Sequence, residues 1–154
     1  MALHQKIKDD MREMMKAQNA AALTVLRGAL SVIAAKEKDK RLASGQADAV
    51  LSEDEIISVI SSEVKKRRDA IALYEQGGRP ELAENEKQEI AILQKYLPEQ
   101  LSAEELRKLV EASIKKVGAA SIKDMGKVMA DLQPAIKGKA DNAEVSKIVK
   151  EFIS

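Results

Sequence analysis

Two glutamates and an arginine sit where apolar residues belong, and that placement is the first place to look for chemistry. On one helical stripe the order is Ile56, Ile60, Glu63, Arg67, Ile71, Tyr74, so Glu63 and Arg67 lie one turn apart on the side that faces a core. On another, Leu82, Glu86, Ile90 and Leu93 put Glu86 in the same situation. A charge among apolar neighbours is costly unless it is paired, so Arg27, Glu63, Arg67 and Glu86 are expected to form a buried polar network that fixes helix register. The alternative is a polar ligand pocket, since paired carboxylates can do acid and base work. No substrate cleft accompanies them in the sequence, so no catalytic residue is assigned.

The second constellation is basic. Lys123 and Lys127 are four apart and share a helix face, and Lys137-Gly138-Lys139 forms a lysine-flanked turn ahead of Asp141. A glycine turn at a helix N-terminus can hold phosphate oxygens, although Asp141 competes for the same amides as a cap. Over residues 115–139, six lysines face two acids, Asp124 and Asp131, which leaves that segment at +4 in a chain whose net charge is +1. The run Lys65-Lys66-Arg67-Arg68 is less informative, because successive residues step about 100° around a helix and at most two share a face.

Other chemistries are excluded by what the chain lacks. It has no cysteine, so thiolate catalysis, disulfides and zinc-thiolate sites are out, and its single histidine, His4, has no second histidine to complete a metal set. Neither Gly-x-Gly-x-x-Gly nor a phosphate-binding Gly-x-x-x-x-Gly-Lys-Ser/Thr loop occurs. No cofactor and no metal are expected. No run approaches the roughly 20 apolar residues of a membrane helix, and the start of the chain lacks the apolar centre of a signal peptide. The expected location is cytoplasmic, or a mitochondrial matrix after processing.

Elements that position these groups follow from spacing. Nearly all apolar residues recur at three and four, which makes the fold class all-α. Leu3, Ile7, Met11 and Met14 define a helix over about 3–17; Leu23, Leu26, Leu30 and Ile33 define one over about 20–42, followed by a loop at 43–50. Ser52 with Glu55 is a capping box that opens a third helix, ended at Gly77-Gly78. Pro80 begins a fourth, carried by Leu82, Ile90, Leu93 and Leu97 to Pro98. Ser102 with Glu105 repeats the capping box and opens a fifth helix on Leu106, Val110, Ile114 and Val117, stopped by Gly118. The sixth uses Ile122, Met125, Met129 and Leu132 and is expected to break at Pro134 and Gly138, and Asp141 starts a seventh that buries Val145, Ile148 and Phe152. The predicted architecture is a four-helix bundle over 1–98 and a three-helix bundle over 99–154, joined near Pro98 to Ser102.

Several of these motifs, in this order, resemble the GatB/YqeY family. They are Lys66-Arg67-Arg68-Asp69-Ala70-Ile71, Tyr74, Gly78-Arg79 with Leu82, Glu86 and Glu89-Ile90, Tyr96-Leu97-Pro98, Lys123-Asp124-Met125-Gly126-Lys127-Val128-Met129, and Lys137-Gly138-Lys139-Ala140-Asp141. The resemblance implies a stand-alone relative of the C-terminal tail of the B subunit of aspartyl/glutamyl-tRNA amidotransferase, with four helices followed by three. It implies a tRNA-binding accessory module without autonomous catalysis, with Lys123, Lys127, Lys137, Gly138 and Lys139 as the RNA-binding candidates. A module docking on a synthetase or an amidotransferase is the alternative. A partner-dependent carbon–nitrogen ligase component with glutamine as amido donor comes third, and no catalytic residue carries over to support it.

Overall fold

The computed structural model describes residues 2–154, and those residues contain α-helices, one 3-10 turn and no strand. They pack as two compact units, one ending at Leu97 and the other running from Pro98 to Ser154.

The first unit is built from α1 (Ala2–Lys16), α2 (Ala20–Ser44), α3 (Glu53–Gln76) and α4 (Pro80–Gln94). Each start and stop has a local cause. Asn19 Oδ1 accepts from the Ala22 amide at 3.1 Å to begin α2, and Gly45 ends it in the left-handed region at φ 71°. At α3 the capping box forms in full: Ser52 Oγ accepts from the Glu55 amide at 3.2 Å and Glu55 Oε2 accepts from the Ser52 amide at 2.6 Å. Gly78, at φ 70°, turns the chain from α3 into α4, whose first residue is Pro80. Ile7, Leu26, Ile33, Ile56, Ile60 and Leu93 are sealed in the core between the four helices.

Past α4 the chain leaves the helix at Gln94 rather than continuing to Pro98, and this irregular segment is used for anchoring. Tyr96 is buried, and its hydroxyl donates to Asp10 Oδ2 at 2.7 Å, with the Lys6 ammonium 5.7 Å from the ring centroid. The segment at 43–50 is tied down at its end: Arg41 Nε donates to the Ala49 carbonyl at 2.9 Å, and the adjoining Leu51 is 5% exposed.

The second unit contains α5 (Ala103–Val117), a 3-10 turn (Ile122–Asp124), α6 (Met125–Ile136) and α7 (Asn142–Ile153) around Leu106, Val110, Val128, Leu132, Ile136, Val145 and Val149. Ser102 and Glu105 form a second complete capping box at 3.1 and 2.9 Å. Three expectations need correction here. Ile122 is half exposed and Val128 is buried instead, because the 3-10 turn advances 120° per residue and takes residue 122 off the α6 stripe. Phe152 is 39% exposed under the Arg107 guanidinium, 5.2 Å away, while Ile153 goes inside. Pro134 does not break α6, which continues to Ile136. Proline removes one amide from the ladder, but Ala130 and Pro134 are both exposed residues, so the loss falls on the solvent side of the helix and not in the core.

Candidate functional site

The α3–α4 network exists with a different membership from the one expected. Arg67 Nη1 donates to Glu63 Oε2 at 3.1 Å and to the Glu63 carbonyl at 3.0 Å, and Arg67 Nε donates to Glu89 Oε2 at 3.2 Å. Lys66 adds a second cation to Glu63 at 3.2 Å. Glu63 and Arg67 are 13% and 18% exposed at their side chains. Arg27 is not part of it: that residue is exposed on α2, on the side turned away from the core. The direct ion pair from α4 is made by Glu89, and Glu86, one turn earlier, joins the network through the Glu89 carboxyl and the field of Arg67.

Glu86 is half-buried, and burial, then the neighbouring Glu89 carboxylate, push its pKa above the ordinary value, with Arg67 only partly opposing. The native state therefore holds this proton more tightly than the unfolded chain does. The resulting stabilisation is present below the unfolded pKa and is lost as pH rises through the higher native one. Glu86→Gln is accordingly expected to raise the melting temperature at pH 7, with the gain shrinking towards zero as pH is lowered below 4.5. Equal melting temperatures at pH 7 would remove Glu86 from the electrostatics of this cluster.

A buried carboxylate of α2 completes a site that the stripe analysis passed over. Glu37 is 6% exposed. Its Oε1 accepts from the Leu51 amide at 3.2 Å, its Oε2 lies 3.5 Å from Arg41 Nη2, and Oε1 is 3.7 Å from His4 Nδ1. Burial and then Lys8 hold the His4 imidazole below its ordinary pKa, so at neutral pH this last contact joins a neutral ring to a carboxylate. The signal was present: Leu26, Leu30, Ile33 and Glu37 follow the same 4-3-4 stripe that singled out Glu63.

Between α2 and α3 an open groove of about 360 Å³ is lined by Lys36, Asp39, Lys40, Glu55, Ser58 and Ser62 over Leu51 and Val59. Its charges are partly spent on structure. Lys40 sits 2.7 Å from Glu55, and that hydrogen bond, followed by the Ser52 amide, lowers the Glu55 pKa to about 2.

Of the basic C-terminal residues, Lys123 lies in the 3-10 turn before α6, Lys127 on α6, and Lys137 and Lys139 just after it. Lys123 and Lys127 are exposed; Lys137 is exposed and Lys139 half-buried on either side of Gly138, which takes φ 72°. The turn is not a backbone cradle for phosphate. The Lys137 amide donates to the Gln133 carbonyl, and the Lys139 and Ala140 amides both donate to the Ile136 carbonyl at 2.8 and 3.1 Å, closing the end of α6. Asp141 Oδ1 takes the Ala143 amide. Anion contact here falls to the ammonium groups. The turn is held from outside by residues just after Tyr96-Leu97-Pro98: Gln100 Nε2 donates to the Gly138 carbonyl at 2.8 Å and the Leu101 amide to the Lys139 carbonyl at 2.9 Å.

Neighbouring cations are committed elsewhere. Arg107 pairs with Glu151, Lys108 with Glu104, Lys115 with Glu111, and Lys116 with Asp131, which also accepts from Ser113 Oγ at 2.7 Å. Among the described residues, Lys123, Lys127 and Lys139 are in no ion pair of this kind, although Lys127 contributes to the lowered pKa of Asp124 behind the Ala120 and Ser121 amides. Three of the four cations at 65–68 are likewise paired, with Asp69, Glu63 and Glu89. No cluster of acids and histidines among the described residues is arranged to hold a metal ion.

Fold and sites together define an all-α protein of two helical units, one organised around buried charge and the other carrying an exposed basic surface. The chain belongs to the YqeY-like family: the family model described as Yqey-like protein matches residues 4–153. It is similar to proteins named Altered inheritance of mitochondria protein 41, mitochondrial. The Kluyveromyces lactis relative is 33% identical over 90 residues, 58% of this chain and 45% of the relative. The Candida glabrata relative is 33% identical over 103 residues, 66% of this chain and 54% of the relative. The chain thus spans about half the length of the curated relatives it matches. No helix among the described residues is long and apolar enough to cross a membrane.

Proposed function

We propose that this chain is a tRNA-binding accessory module that works beside tRNA-dependent amidation and has no catalysis of its own. The observation that carries the reading is the lysine set on and beside α6, in which Lys123, Lys127 and Lys139 are in none of the ion pairs that engage Arg107, Lys108, Lys115 and Lys116. Uncommitted cations on one surface are what phosphate recognition requires. The mitochondrial designation of the relatives makes a mitochondrial matrix as suitable a setting as the cytoplasm.

The test is a titration of unfractionated tRNA at several salt concentrations, with the parent and with Lys123, Lys127, Lys137 and Lys139 all replaced by alanine. Each lost phosphate contact is expected to reduce the magnitude of the log-affinity against log-salt slope by about 0.7 to 0.9. A variant that retains its helices by circular dichroism and binds with unchanged affinity and slope would take the RNA site off this surface. The second reading is a module docking on a synthetase or an amidotransferase, and it is supported by the balanced charge of the chain, +1 overall. Absence of tRNA binding by the parent at low salt would put that reading first. A role as a carbon–nitrogen ligase component would need partner subunits to supply the reacting groups.

A further inference from the structure

The turn between α1 and α2 is made from residues that prefer to be helix. Among the described residues Gly45, Gly78, Gly118 and Gly138 take positive φ, and one residue other than glycine joins them, Gln18 at φ 55°. The end of α1 is a Schellman motif with Gln18 in the glycine position: the Asn19 amide donates to the Met14 carbonyl at 3.0 Å and the Gln18 amide to the Met15 carbonyl at 3.2 Å. A side chain in the left-handed region crowds its own backbone, and such strain persists only where the surroundings enforce it. Residues 15–21 are all exposed, so no packing around the turn enforces this one.

The sequence on either side argues the same way. Lys16-Ala17-Gln18 and Ala20-Ala21-Ala22 are good helix formers, and 17–19 is the one connection between helices that holds neither glycine nor proline. Asn19 alone favours the turn, through the cap it gives to the Ala22 amide at 3.1 Å. With 17–19 helical, α1 and α2 become one helix from Ala2 to Ser44, and α1 leaves its own bundle.

The contacts that seat α1 do not depend on which chain supplies it. Ile7 is sealed in the first core, Asp10 accepts from the Tyr96 hydroxyl at 2.7 Å, and Glu53 Oε1 accepts from the Leu3 amide at 3.1 Å. An α1 from a second copy makes all of these unchanged. The closed chain and an exchanged pair therefore differ in the turn itself and in the freedom lost on pairing.

We infer that residues 17–19 are a hinge through which two copies of this chain exchange α1, each straightening into a continuous α1–α2 helix and seating its Ile7 and Asp10 in the other's first unit. The partner is the chain itself, and its concentration sets the balance between the two forms.

The test is size-exclusion chromatography with light scattering on the full chain, unfolded in urea and refolded at concentrations up to millimolar. The parent is expected to form a dimer whose fraction grows with concentration. Gln18→Gly relieves the closed turn and weakens the straight helix, a factor of about five at each hinge, so with two hinges the dissociation constant of the dimer should rise roughly 25-fold. Asn19→Ala removes the cap from the closed turn and favours the straight helix, and should lower that constant by a similar factor. Both residues are exposed, so neither change disturbs the core. Because the chain has no cysteine of its own, spin labels on Asp9→Cys and Arg27→Cys report the path when doubly labelled chains are diluted into unlabelled ones. In the closed form the two helix axes lie about 10 Å apart; along one continuous helix the two positions are about 27 Å apart. A parent that stays monomeric at every concentration, a dimer whose labels keep the short distance, or a dissociation constant unmoved by the two substitutions overturns the inference.

Discussion

Glu37→Ala lowers the stability of the protein by about 3 kcal/mol, the largest loss expected from any single change described above. The substitution strands the Leu51 amide, which has Glu37 Oε1 as its acceptor and lies at a residue 5% exposed. An unsatisfied buried donor alone costs about 1 to 3 kcal/mol. It also removes the carboxylate opposite Arg41, whose guanidinium holds the Ala49 carbonyl, so both ties on the end of the 45–51 segment are weakened. In a unit of this size such a loss corresponds to a fall in melting temperature of roughly 15 °C. Glu37→Gln retains an oxygen for the Leu51 amide and should lose about 1 kcal/mol. Urea unfolding of the two variants separates the hydrogen bond from the charge, and a midpoint for Glu37→Ala equal to the parent's would mean that the carboxylate is not buried in solution.

Arg67→Ala is expected to cost about 2 kcal/mol, between the small effect of an exposed pair and the 3 to 5 kcal/mol seen when one partner of a fully buried pair is deleted. The intermediate value follows from exposure. Glu63 and Arg67 are largely covered, but Glu89 is 33% exposed, so water screens one limb of the network. Removing the guanidinium leaves Glu63, Glu86 and Glu89 near one another with only the exposed Lys66 to offset them. The Arg67→Ala deficit should therefore narrow at low pH, as Glu86, whose pKa lies above the ordinary value, takes up its proton, and Arg67→Lys should recover only part of it because an ammonium cannot span both acids in fork geometry. Thermal unfolding at pH 7 and pH 4 measures this; a deficit of the same size at both values would refute the electrostatic account.

Features decided within four consecutive residues were legible in the sequence. Ser52 to Glu55 and Ser102 to Glu105 form their capping boxes because cap and acceptor are near neighbours on the chain, and Gly45, Gly78 and Gly118 stop or turn it where a left-handed residue is needed. Features that depend on how two helices are rotated against each other were read less well. Glu86 and Glu89 are three apart on α4, and the stripe alone does not say which of them faces Arg67. Arg27 lies near enough to an apolar pattern to look internal, yet α2 turns it outward. Ile122 was misplaced for a local reason, since the 3-10 turn changes the angular step just before α6. For the basic residues, the spacing of four implied one helix face for Lys123 and Lys127, but Lys123 lies in the 3-10 turn ahead of α6; nor could spacing show that the Lys139 and Ala140 amides are used to close the end of α6.

The hydrogen bond from Tyr96 to Asp10 joins residues 86 positions apart and closes the first unit from its last residues back to its first helix. During synthesis α1 can pack on α2 as soon as both are made, whereas this tie cannot form until Tyr96 has been added. The α3–α4 hairpin, with its short Gly77-Gly78 link, pays far less loop-closure entropy and is free to assemble earlier. α1 has its main partner in α2, which follows it directly, so Ile7 can be covered early, and the Tyr-Leu-Pro segment arrives last to lock an arrangement already packed.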